Sequence, residues 1–439
     1  MAILHAKLIA LCSVAAFAFV TGYFIGFVAK DLVVTSEIED SLHATLGKAL
    51  HDGINPLLPK GKRWPGDTIH CILPSDGGAY QNLQSRILYA SYNLVRQMPG
   101  GEKMTGFTRI LHRTVPDLLM EEIPTYQVWD IWHTECDHGC SFPVVNRPQA
   151  VMQFMRAAGK DPSLLKGAWL LMIEADYVFM QPVRPPGNAH DPSASGEQYL
   201  FDYIMPQHPD AAPHIQKLYG PGNDINEVPA SGPAPVILRH EEWLVIGTDY
   251  ERLSTEMESD AAIVKQLAWV REMYTWDVAI AMHPEIKIRT LKPPNSTLMC
   301  QPPFDIALNN ASFTHYTWGA LYYEGLQSQG GKNIYKWDKR EFMGVEQVLK
   351  PTNVPMPPEF REGLSLTFDQ LLTRERHELV VAELTQLNKA IDTLPDLHEH
   401  AKTVQATIDA YEATKTQRIA AKLRSQMRYT KWPEVHVVA

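Results

Sequence analysis

Apolar runs of strand length alternate with segments of helical periodicity through most of the chain after about residue 67. The runs that predict strands lie at 68–73, 107–111, 168–173 and 177–180. The segments that predict helices lie at 84–97, 146–158 and 261–281. The stretch 182–235 is rich in Pro, Gly, Asn and Asp and predicts mostly loop. This alternation favours an α/β body.

A long uncharged segment near the N-terminus predicts a membrane anchor. Residues 8–28 carry no charge over 21 positions, enough for a helix to span a bilayer core of about 30 Å. A cleavable signal peptide is the alternative, although its apolar core is usually only about 7–15 residues long. Lys7 precedes the segment and acidic residues dominate after it, so the positive-inside rule favours a cytosolic tail at 1–7 and a lumenal body. We therefore expect a type II membrane protein with a stem at 29–66.

The C-terminal section at 359–439 has a different pattern, with apolar residues spaced alternately four and three apart. One such stripe comprises Val380, Leu384, Leu387, Ile391 and Leu394, and a second comprises Leu397, Ala401, Val404, Ile408 and Tyr411. Pro395 separates them and predicts the break of a helical hairpin or coiled-coil segment. The hairpin packs on the body or on itself, or it joins two copies into a homo-oligomer. Because each helix can cover the stripe of the other, we expect the section to be dispensable for the function of the body.

Composition and charge limit the classes of partner. The chain has 439 residues, of which 45% are hydrophobic and 21% charged, as is typical of a globular protein. Its 40 basic side chains against 50 acidic ones give a net charge of −10 and a pI near 5.9. This balance argues against nucleic acid as a partner, although it is compatible with a local basic pocket for one anionic ligand.

Four cysteines lie beyond the predicted anchor, namely Cys71, Cys136, Cys140 and Cys300. In an oxidising lumen they allow three disulfide pairings, which the sequence alone does not separate. The run HTECDHGC that ends at Cys140 also permits a zinc site, but its C-x3-C spacing is not that of paired C-x2-C knuckles. Disulfides or free thiols are therefore the favoured interpretations.

The most informative local signal is the pair of carboxylates in WLLMIEADYVFMQP, where one apolar strand ends at Glu174 and Asp176 and another begins. Alternate residues of an extended segment project to the same side, so both carboxylates can face one divalent cation. Polar groups at the ends of buried strands also lie where ligands bind open α/β sheets. A solvated turn between two strands is the alternative, because such a triplet is weak evidence by itself.

Eight segments between about residues 67 and 351 carry a more specific signal. They read MTGFTRILHRTVPDLLMEEIPTYQV, VVNRPQAVMQF, WLLMIEADYVFMQPV, PASGPAPVILRHEEW, WVREMYTWDVAIA, LMCQPPFD, FTHYTWG and YKWDKREF. In this order they resemble the plant and algal hydroxyproline O-arabinosyltransferase family. The stem and the C-terminal section lie outside the resemblance.

The resemblance implies an α/β, GT-A-type nucleotide-sugar glycosyltransferase domain at 67–358, anchored in the Golgi membrane, at the cis-Golgi or between the endoplasmic reticulum and the Golgi. It implies transfer of L-arabinofuranose from UDP-β-L-arabinofuranose to the hydroxyl group of peptidyl hydroxyproline in a hydroxyproline-rich protein or peptide. The β-linked product would retain the anomeric configuration of the donor. The implied cofactor is a divalent metal, Mn²⁺, and the UDP-sugar is the donor substrate.

The resemblance also suggests the metal ligands. Asp176 is expected to bind the ion directly, and Glu174 to bind it or to lie beside it. His315 in FTHYTWG is the expected third ligand, because a histidine late in the chain recurs at the metal of GT-A enzymes and neutral imidazole suits Mn²⁺. The ion would neutralise the diphosphate of the donor. The alternative for His315 is a hydrogen-bonded core residue in an aromatic run.

Two arginines and one turn are candidates for binding the donor. Arg109 in GFTRIL and Arg147 in NRP could reach phosphate or uridine, since a guanidinium can form two hydrogen bonds with phosphate. A structural ion pair is the alternative for each. Ser75 and Asp76 end the first strand, where GT-A folds bind the nucleoside, but an ordinary turn explains them equally well.

Three basic residues in YKWDKREF follow His315 in the chain and are further candidates for the donor. Lys336, Lys339 and Arg340 could close over the diphosphate, because cationic side chains pair strongly with phosphate oxygens. A solvated basic turn is the alternative for all three.

Retention requires the acceptor hydroxyl to attack from the face of the leaving diphosphate. Either an enzyme carboxylate attacks first, or the leaving phosphate accepts the hydroxyl proton as the bond breaks. The candidates near the sugar are Glu272, Asp277 and Gln301. Glu272 and Asp277 diverge by about 140° around an unbroken helix, so both cannot face the sugar. Glu272, in VREMY, is the preferred candidate, with a structural salt bridge as its alternative.

Two other functions stay open. A transferase of similar design could instead move galactose from UDP-galactose to peptidyl serine. A membrane-tethered binding or scaffold protein with a catalytically inactive body is the alternative from another class. The presence of Glu174, Asp176 and His315 argues against an inactive body.

Overall fold

A computed structural model of the chain describes residues 64–128, 131–133, 142–342, 344–414 and the backbone of 428–429. The predicted anchor, the predicted stem apart from its last residues, and both cysteines of the HTECDHGC run lie outside these ranges. Among the residues described, no helix is both long and apolar enough to cross a membrane. Cys71 and Cys300 are buried free thiols, so these two cysteines do not form a disulfide with each other.

The body is built on one large mixed sheet. The strands, numbered β1 to β14 in chain order, are Ile69–Ser75, Met104–His112, Thr125–Val128, Trp169–Met172, Tyr177–Phe179, Gly196–Tyr199, Val236–Arg239, Ile288–Leu291, Met299–Cys300, Phe313–His315, Ala320–Glu324, Lys332–Trp337, Leu364–Ser365 and Arg428–Tyr429. Eight of them form the largest sheet, in the order β14-β3-β2-β1-β4-β7-β6-β8. Its centre, β3-β2-β1-β4, is parallel, whereas β7 runs antiparallel to β4. The predicted α/β class is confirmed.

Helices alternate with these strands along the chain. Numbered α1 to α9, they are Ala79–Val95, Arg147–Lys160, Ala212–Tyr219, His240–Glu258, Ala261–Leu267, Arg271–Ala281, Val345–Leu349, Arg374–Asp392 and His398–Ala413. The single helix predicted at 261–281 is wrong, because the chain forms α5 and α6 with a 3₁₀ turn between them. Ala268 has a φ of 48°, in the left-handed region, which does not continue a right-handed helix. The stretch 182–235 is mostly irregular but contains β6 and α3.

Strand β1 lies at the centre of the sheet and is covered on both faces. All seven of its residues are buried, as are all four residues of β4 beside it. Parallel strands buried on both faces have near-continuous apolar sequences of this kind, without alternation. Because β1, β2 and β4 are parallel, their carboxyl ends meet at one edge of the sheet, where ligands bind in open α/β folds.

A small sheet, in the order β5-β10-β9, begins where β4 ends. The chain leaves β4 at Met172, passes Glu174 and Asp176, and enters β5 at Tyr177. Strand β10 runs antiparallel to β5 and pairs His315 with Tyr177. This pairing brings a residue from late in the chain beside the two carboxylates that end the large sheet.

The C-terminal section is not a self-contained hairpin, which corrects the expectation drawn from its two stripes. The stripe of α8 is buried in one apolar cluster with Leu83 and Ile87 of α1 and Tyr322 of β11. Gln386 of α8 also donates a hydrogen bond of 3.0 Å to the backbone oxygen of Phe179 in β5. Helix α8 therefore covers the body, one of the arrangements that the sequence left open, and removing it would expose apolar surface.

Shortening one side chain of the α8 stripe should lower the free energy of unfolding of the body. Leu384 has no exposed surface, so Leu384→Ala removes buried methyl groups and leaves a cavity. We expect a loss of about 2–5 kcal/mol in the free energy of unfolding, measured by urea denaturation. Leu326→Ala is the control, since Leu326 is 40% exposed, and it should change little. Equal stability of the two variants would contradict the packing of α8 on the body.

Glu383 places an ionisable group inside this interface. Burial raises the pKa of the Glu383 carboxyl to about 8, and the nearby Thr314 hydroxyl offsets this only in part. The folded state therefore holds the proton more tightly than the unfolded state, in which a glutamate has a pKa near 4.5. By linkage, this proton contributes stability that is fully present below pH 4.5 and is lost as the pH rises through 8.

Glu383→Gln should remove this pH dependence, because glutamine does not titrate. The free energy of unfolding of the wild type should fall relative to the variant by up to about 1.4 kcal/mol per pH unit between about pH 5 and 8. Denaturant titrations at several pH values measure this difference. Glu378→Gln, at an exposed position of the same helix, should follow the wild type. Parallel curves for the wild type and Glu383→Gln would rule out a buried, protonated Glu383.

Candidate active site

Glu174, Asp176 and His315 come together at the end of β4, in the grouping predicted from the sequence. An oxygen of each carboxylate and a ring nitrogen of His315 all lie within 4.8 Å of one another. Asp176 and His315 are buried, whereas Glu174 is partly exposed. Two carboxylates and one imidazole form a donor set that suits Mn²⁺ or a similar divalent cation.

Asp176 is the electrostatic centre of this group. Its Oδ2 lies 3.0 Å from Nε2 of His315 and also accepts a hydrogen bond from the ammonium group of Lys339. Burial by itself would raise the pKa of Asp176, but His315 and Lys339 hold that pKa well below its usual range. Asp176 is therefore ionised at neutral pH, as a ligand for a cation must be.

Two neighbours fix the ring of His315. The side-chain nitrogen of Gln301 lies 3.1 Å from Nδ1, on the opposite side of the ring from the nitrogen that faces Asp176. The ring of Tyr177 meets the imidazole at an edge, with 4.8 Å between the ring centroids. A partner on one ring nitrogen orients the other toward its ligand. Gln301, predicted near the sugar, is therefore placed against a candidate metal ligand.

Arg147 joins two of the predicted carboxylates. Its guanidinium donates hydrogen bonds to Glu174 at 2.8 Å and to Glu272 at 3.2 Å. The Tyr250 hydroxyl donates to the other oxygen of Glu272. Glu272 is only 4% exposed, and burial raises its pKa to about 7 despite Arg147 and Tyr250. Both oxygens of Glu272 are thus engaged, which favours the salt-bridge alternative over a carboxylate presented to the sugar.

Arg109 and Asp277 are enclosed in the core, and neither has exposed surface. The guanidinium of Arg109 forms hydrogen bonds of 2.6 and 2.7 Å with the two oxygens of Asp117. Asp277 accepts a hydrogen bond of 3.1 Å from the backbone of Ser231, and burial raises the pKa of Asp277 well above its usual value. These surroundings favour a structural ion pair for Arg109 and leave Asp277 without an exposed atom to contact a substrate.

Of the three basic residues in YKWDKREF, Lys339 contacts the candidate metal ligands. Its side chain is largely enclosed and pairs with Asp176. Lys336 pairs with Glu341, Arg340 pairs with Asp338, and both basic residues are exposed. These two fit the solvated-turn alternative, whereas Lys339 fits the prediction of a cation close to the donor.

Ser75 and Asp76 form the turn after β1. The Ser75 hydroxyl accepts a hydrogen bond of 3.3 Å from the backbone N–H of Gly77, and Asp76 accepts one of 2.8 Å from that of Gly78. Partial burial raises the pKa of Asp76, and the charge on Arg147 lies near enough to lower it slightly. The Asp76 carboxyl is therefore within electrostatic reach of Arg147, and a nucleoside contact from Asp76 stays a prediction.

Three tyrosines near the candidate metal ligands and their partners were not predicted from the sequence. Burial raises the pKa of Tyr80, and its hydroxyl lies near both Lys339 and Asp176. Burial also raises the pKa of Tyr203, which is close enough to Asp176 to be influenced by its charge. Tyr250 binds Glu272, as described above. The sequence did contain a signal for Tyr80. This residue follows the turn after β1, in the first turn of α1, and therefore lies at the edge of the sheet where ligands bind.

Relatives found by comparison of sequences are named hydroxyproline O-arabinosyltransferases. The model of the hydroxyproline O-arabinosyltransferase family N-terminal domain matches residues 69–290, half of the chain. Hydroxyproline O-arabinosyltransferase RDN2 of Medicago truncatula is 33% identical over 291 residues, which cover 66% of this chain and 74% of the relative. Hydroxyproline O-arabinosyltransferase 3 of Arabidopsis thaliana is 32% identical over 332 residues, which cover 74% of this chain and 81% of the relative.

Solved structures overlap less closely. The galactosyltransferase LgtC, in complex with donor and acceptor sugar analogs, gives 9% identity and a TM-score of 0.33 over 56% of this chain and 86% of its own. A glycosyltransferase involved in the glycosylation of the major capsid of PBCV-1 gives 12% identity and a TM-score of 0.29 over 57% of this chain and 93% of its own. From the sequence matches alone, this chain belongs to the hydroxyproline O-arabinosyltransferase family.

Proposed function

We propose that this protein, a glycosyltransferase of the hydroxyproline O-arabinosyltransferase family, transfers L-arabinofuranose from UDP-β-L-arabinofuranose to the hydroxyl group of peptidyl hydroxyproline. The observation that carries the proposal is the convergence of Glu174, Asp176 and His315 within 4.8 Å at the carboxyl edge of the sheet. A nucleotide-sugar donor brings a diphosphate, whose charge calls for a cation at this edge. The group supplies the ligands for one.

Mn²⁺ is the proposed cofactor, and the residues present fit it. Two carboxylates and an imidazole are ligands that Mn²⁺ accepts, and the low pKa of Asp176 keeps that carboxylate ionised at neutral pH. When bound, the ion would neutralise charge on the diphosphate and on the leaving UDP. Asp176 and His315 would hold it directly, and Glu174 would do so or stay paired with Arg147.

Lys339 is assigned a role in binding the donor. Its ammonium group neutralises Asp176, which is otherwise a buried anion. Once Asp176 has another cationic partner, the same ammonium group can pair with an oxygen of the diphosphate. Lys339 thereby keeps the site electrically balanced both before and after the donor binds.

Proton transfer is assigned to the donor phosphate and not to Glu272. Glu272 is bound by Arg147 and Tyr250 and has almost no exposed surface. The remaining route considered for a retaining transfer is acceptance of the hydroxyl proton by the leaving phosphate. In that route Glu272 acts by orienting Arg147, whose other hydrogen bond holds Glu174.

The fold type and the cellular setting are part of the proposal. A GT-A-type assignment is supported by the parallel centre β3-β2-β1-β4 with its carboxylates at one edge. The uncharged segment 8–28, outside the described residues, supports a type II anchor in the Golgi membrane, at the cis-Golgi or between the endoplasmic reticulum and the Golgi. A homo-oligomer through the C-terminal helices has less support, because the stripe of α8 is already buried within the chain.

Removing the charge of Asp176 should abolish most of the activity. Asp176→Asn keeps the shape of the side chain but takes away the charge that a divalent cation needs. We expect kcat for arabinose transfer to fall at least about 100-fold, comparable to losing one strong electrostatic contact in a transition state. The measurement is a steady-state assay with UDP-β-L-arabinofuranose and an oligohydroxyproline peptide. Asp396→Asn is the control, because Asp396 lies in the link between α8 and α9 and forms an exposed ion pair with Lys350.

Three outcomes of this assay, run also with UDP-galactose and a serine peptide, would count against the proposal. If Asp176→Asn were as active as Asp396→Asn, Asp176 would not be a metal ligand that the reaction needs. If the wild type transferred galactose from UDP-galactose to a serine peptide, and no arabinose to hydroxyproline, the alternative transferase would replace the proposed one. A protein that transfers neither sugar would favour the scaffold function.

Lys339→Met should change the affinities for metal and for donor in opposite directions. Without the lysine charge beside Asp176, Mn²⁺ alone should bind more tightly, by about ten-fold. UDP in saturating Mn²⁺ should bind more weakly, because the diphosphate loses an ammonium partner. Isothermal titration calorimetry measures both affinities. Lys336→Met, on the exposed part of the same turn, should alter neither. Weaker binding of Mn²⁺ by Lys339→Met would overturn the assigned role.

A further inference from the structure

Four aromatic rings form a connected, partly exposed strip on the surface. Neighbouring ring centroids are 6.1 Å apart for Tyr203 and Trp318, 6.0 Å for Trp318 and Phe304, and 6.3 Å for Phe304 and Phe368. Tyr203 is 37% exposed, Trp318 39% and Phe368 69%. We call these four residues the aromatic strip. Connected apolar surface of this kind marks a site of interaction more often than single exposed side chains do.

The aromatic strip starts at the candidate active site. Trp318 follows His315 by three positions in the loop after β10. Phe304 follows Gln301, whose amide contacts His315, by the same interval. At the Tyr203 end of the strip, the charges on Glu174 and Asp176 lie near enough to act on the Tyr203 hydroxyl. The rings therefore lead away from the proposed position of the donor, where a bound acceptor chain has to pass.

The far end of the aromatic strip is held outward by an uncommon backbone conformation. Phe368 and Asp369 have φ values of 61° and 57°, in the left-handed region that bulky residues rarely adopt. Two hydrogen bonds hold this turn, one from the backbone of Phe368 to Gln327 and one from the backbone of Ser328 to Asp369. A strained turn that keeps a phenylalanine exposed points to a use for that ring.

We propose that the aromatic strip binds the acceptor as an extended, proline-rich segment in the polyproline II conformation; this inference rests on the function proposed above. Such a segment rises about 3.1 Å per residue, so each interval between rings matches about two residues. Prolyl and hydroxyprolyl rings pack on aromatic faces, and this packing is how aromatic-lined grooves recognise proline-rich chains. The strip would hold residues on one side of the hydroxyproline that reacts and so set which positions are modified.

Trp318→Ala and Phe368→Ala test the proposal through the Michaelis constants for the two substrates. For an oligohydroxyproline peptide of about nine residues, three turns of polyproline II, each variant should raise KM at least about five-fold. The KM for UDP-β-L-arabinofuranose should stay at the wild-type value. With a three-residue acceptor, Phe368→Ala should match the wild type, because so short a chain does not reach the far end. Trp318→Phe should recover part of the loss.

A matched control and a direct binding measurement complete the test. Trp269→Ala removes a tryptophan that is 64% exposed and contacts Phe142, outside the aromatic strip, and it should leave both KM values unchanged. Calorimetric titration of the same peptide into Asp176→Asn should show that binding survives without transfer. Adding Trp318→Ala to that variant should weaken the binding at least about five-fold.

The outcomes separate the aromatic strip from the transfer reaction. If the strip variants keep the wild-type KM for the long peptide, or if Trp318→Ala raises the donor KM instead, the strip proposal is overturned while the transfer reaction stands. If the wild type transfers no arabinose but the peptide binds and Trp318→Ala weakens that binding, the strip stands and the proposed reaction fails.

Discussion

A buried carboxylate persists as an anion only where hydrogen-bond donors or positive charges surround it, and this requirement on Asp176 organises the site. Moving an ion out of water costs several kcal/mol, of the order that pairing must return. The partners of Asp176 come from far along the chain, since His315 is 139 and Lys339 is 163 positions away. The small sheet supplies one of these partners, because β10 pairs with β5 and places His315 beside the end of β4.

The carboxylates of Glu174 and Glu272, near Asp176, also need partners for their charges. Glu174 and Glu272 would repel each other if Arg147 did not lie between them, and Tyr250 completes the set of partners for Glu272. Helix α8 then supports the small sheet from behind, through its apolar stripe and the hydrogen bond of Gln386 to β5. A helix that follows residues 69–290, the range matched by the family model, thus stabilises the strands that carry the candidate metal ligands.

The sequence predicts local features well, because they depend on neighbours in the chain. The apolar run of β1 and the strand end at Glu174 and Asp176 are both of this kind. Partners from distant segments are harder to predict. Arg109 and Arg147 carry the same signal in the sequence, yet Arg109 is enclosed with Asp117 while Arg147 reaches the candidate active site.

Two other differences have the same physical origin. The stripe of α8 was visible in the sequence, but its partner Leu83 lies about three hundred positions earlier, and periodicity carries no information about which surface a stripe will cover. The break between α5 and α6 depends on the backbone of Ala268, a residue that favours helices and gives no warning of a left-handed φ. Glu272 was selected from its resemblance to the family, whereas its environment depends on Tyr250 from a separate helix.

The central claim is that this group of residues supports metal-dependent transfer of arabinose to hydroxyproline. The most direct measurement is mass spectrometry of an oligohydroxyproline peptide after incubation with the full-length protein and UDP-β-L-arabinofuranose. Parallel samples would contain Mn²⁺ or an excess of chelator. The account predicts pentose attached to hydroxyproline in the sample with Mn²⁺ and none in the sample with chelator. Unmodified peptide in both samples, or equal modification in both, would contradict it.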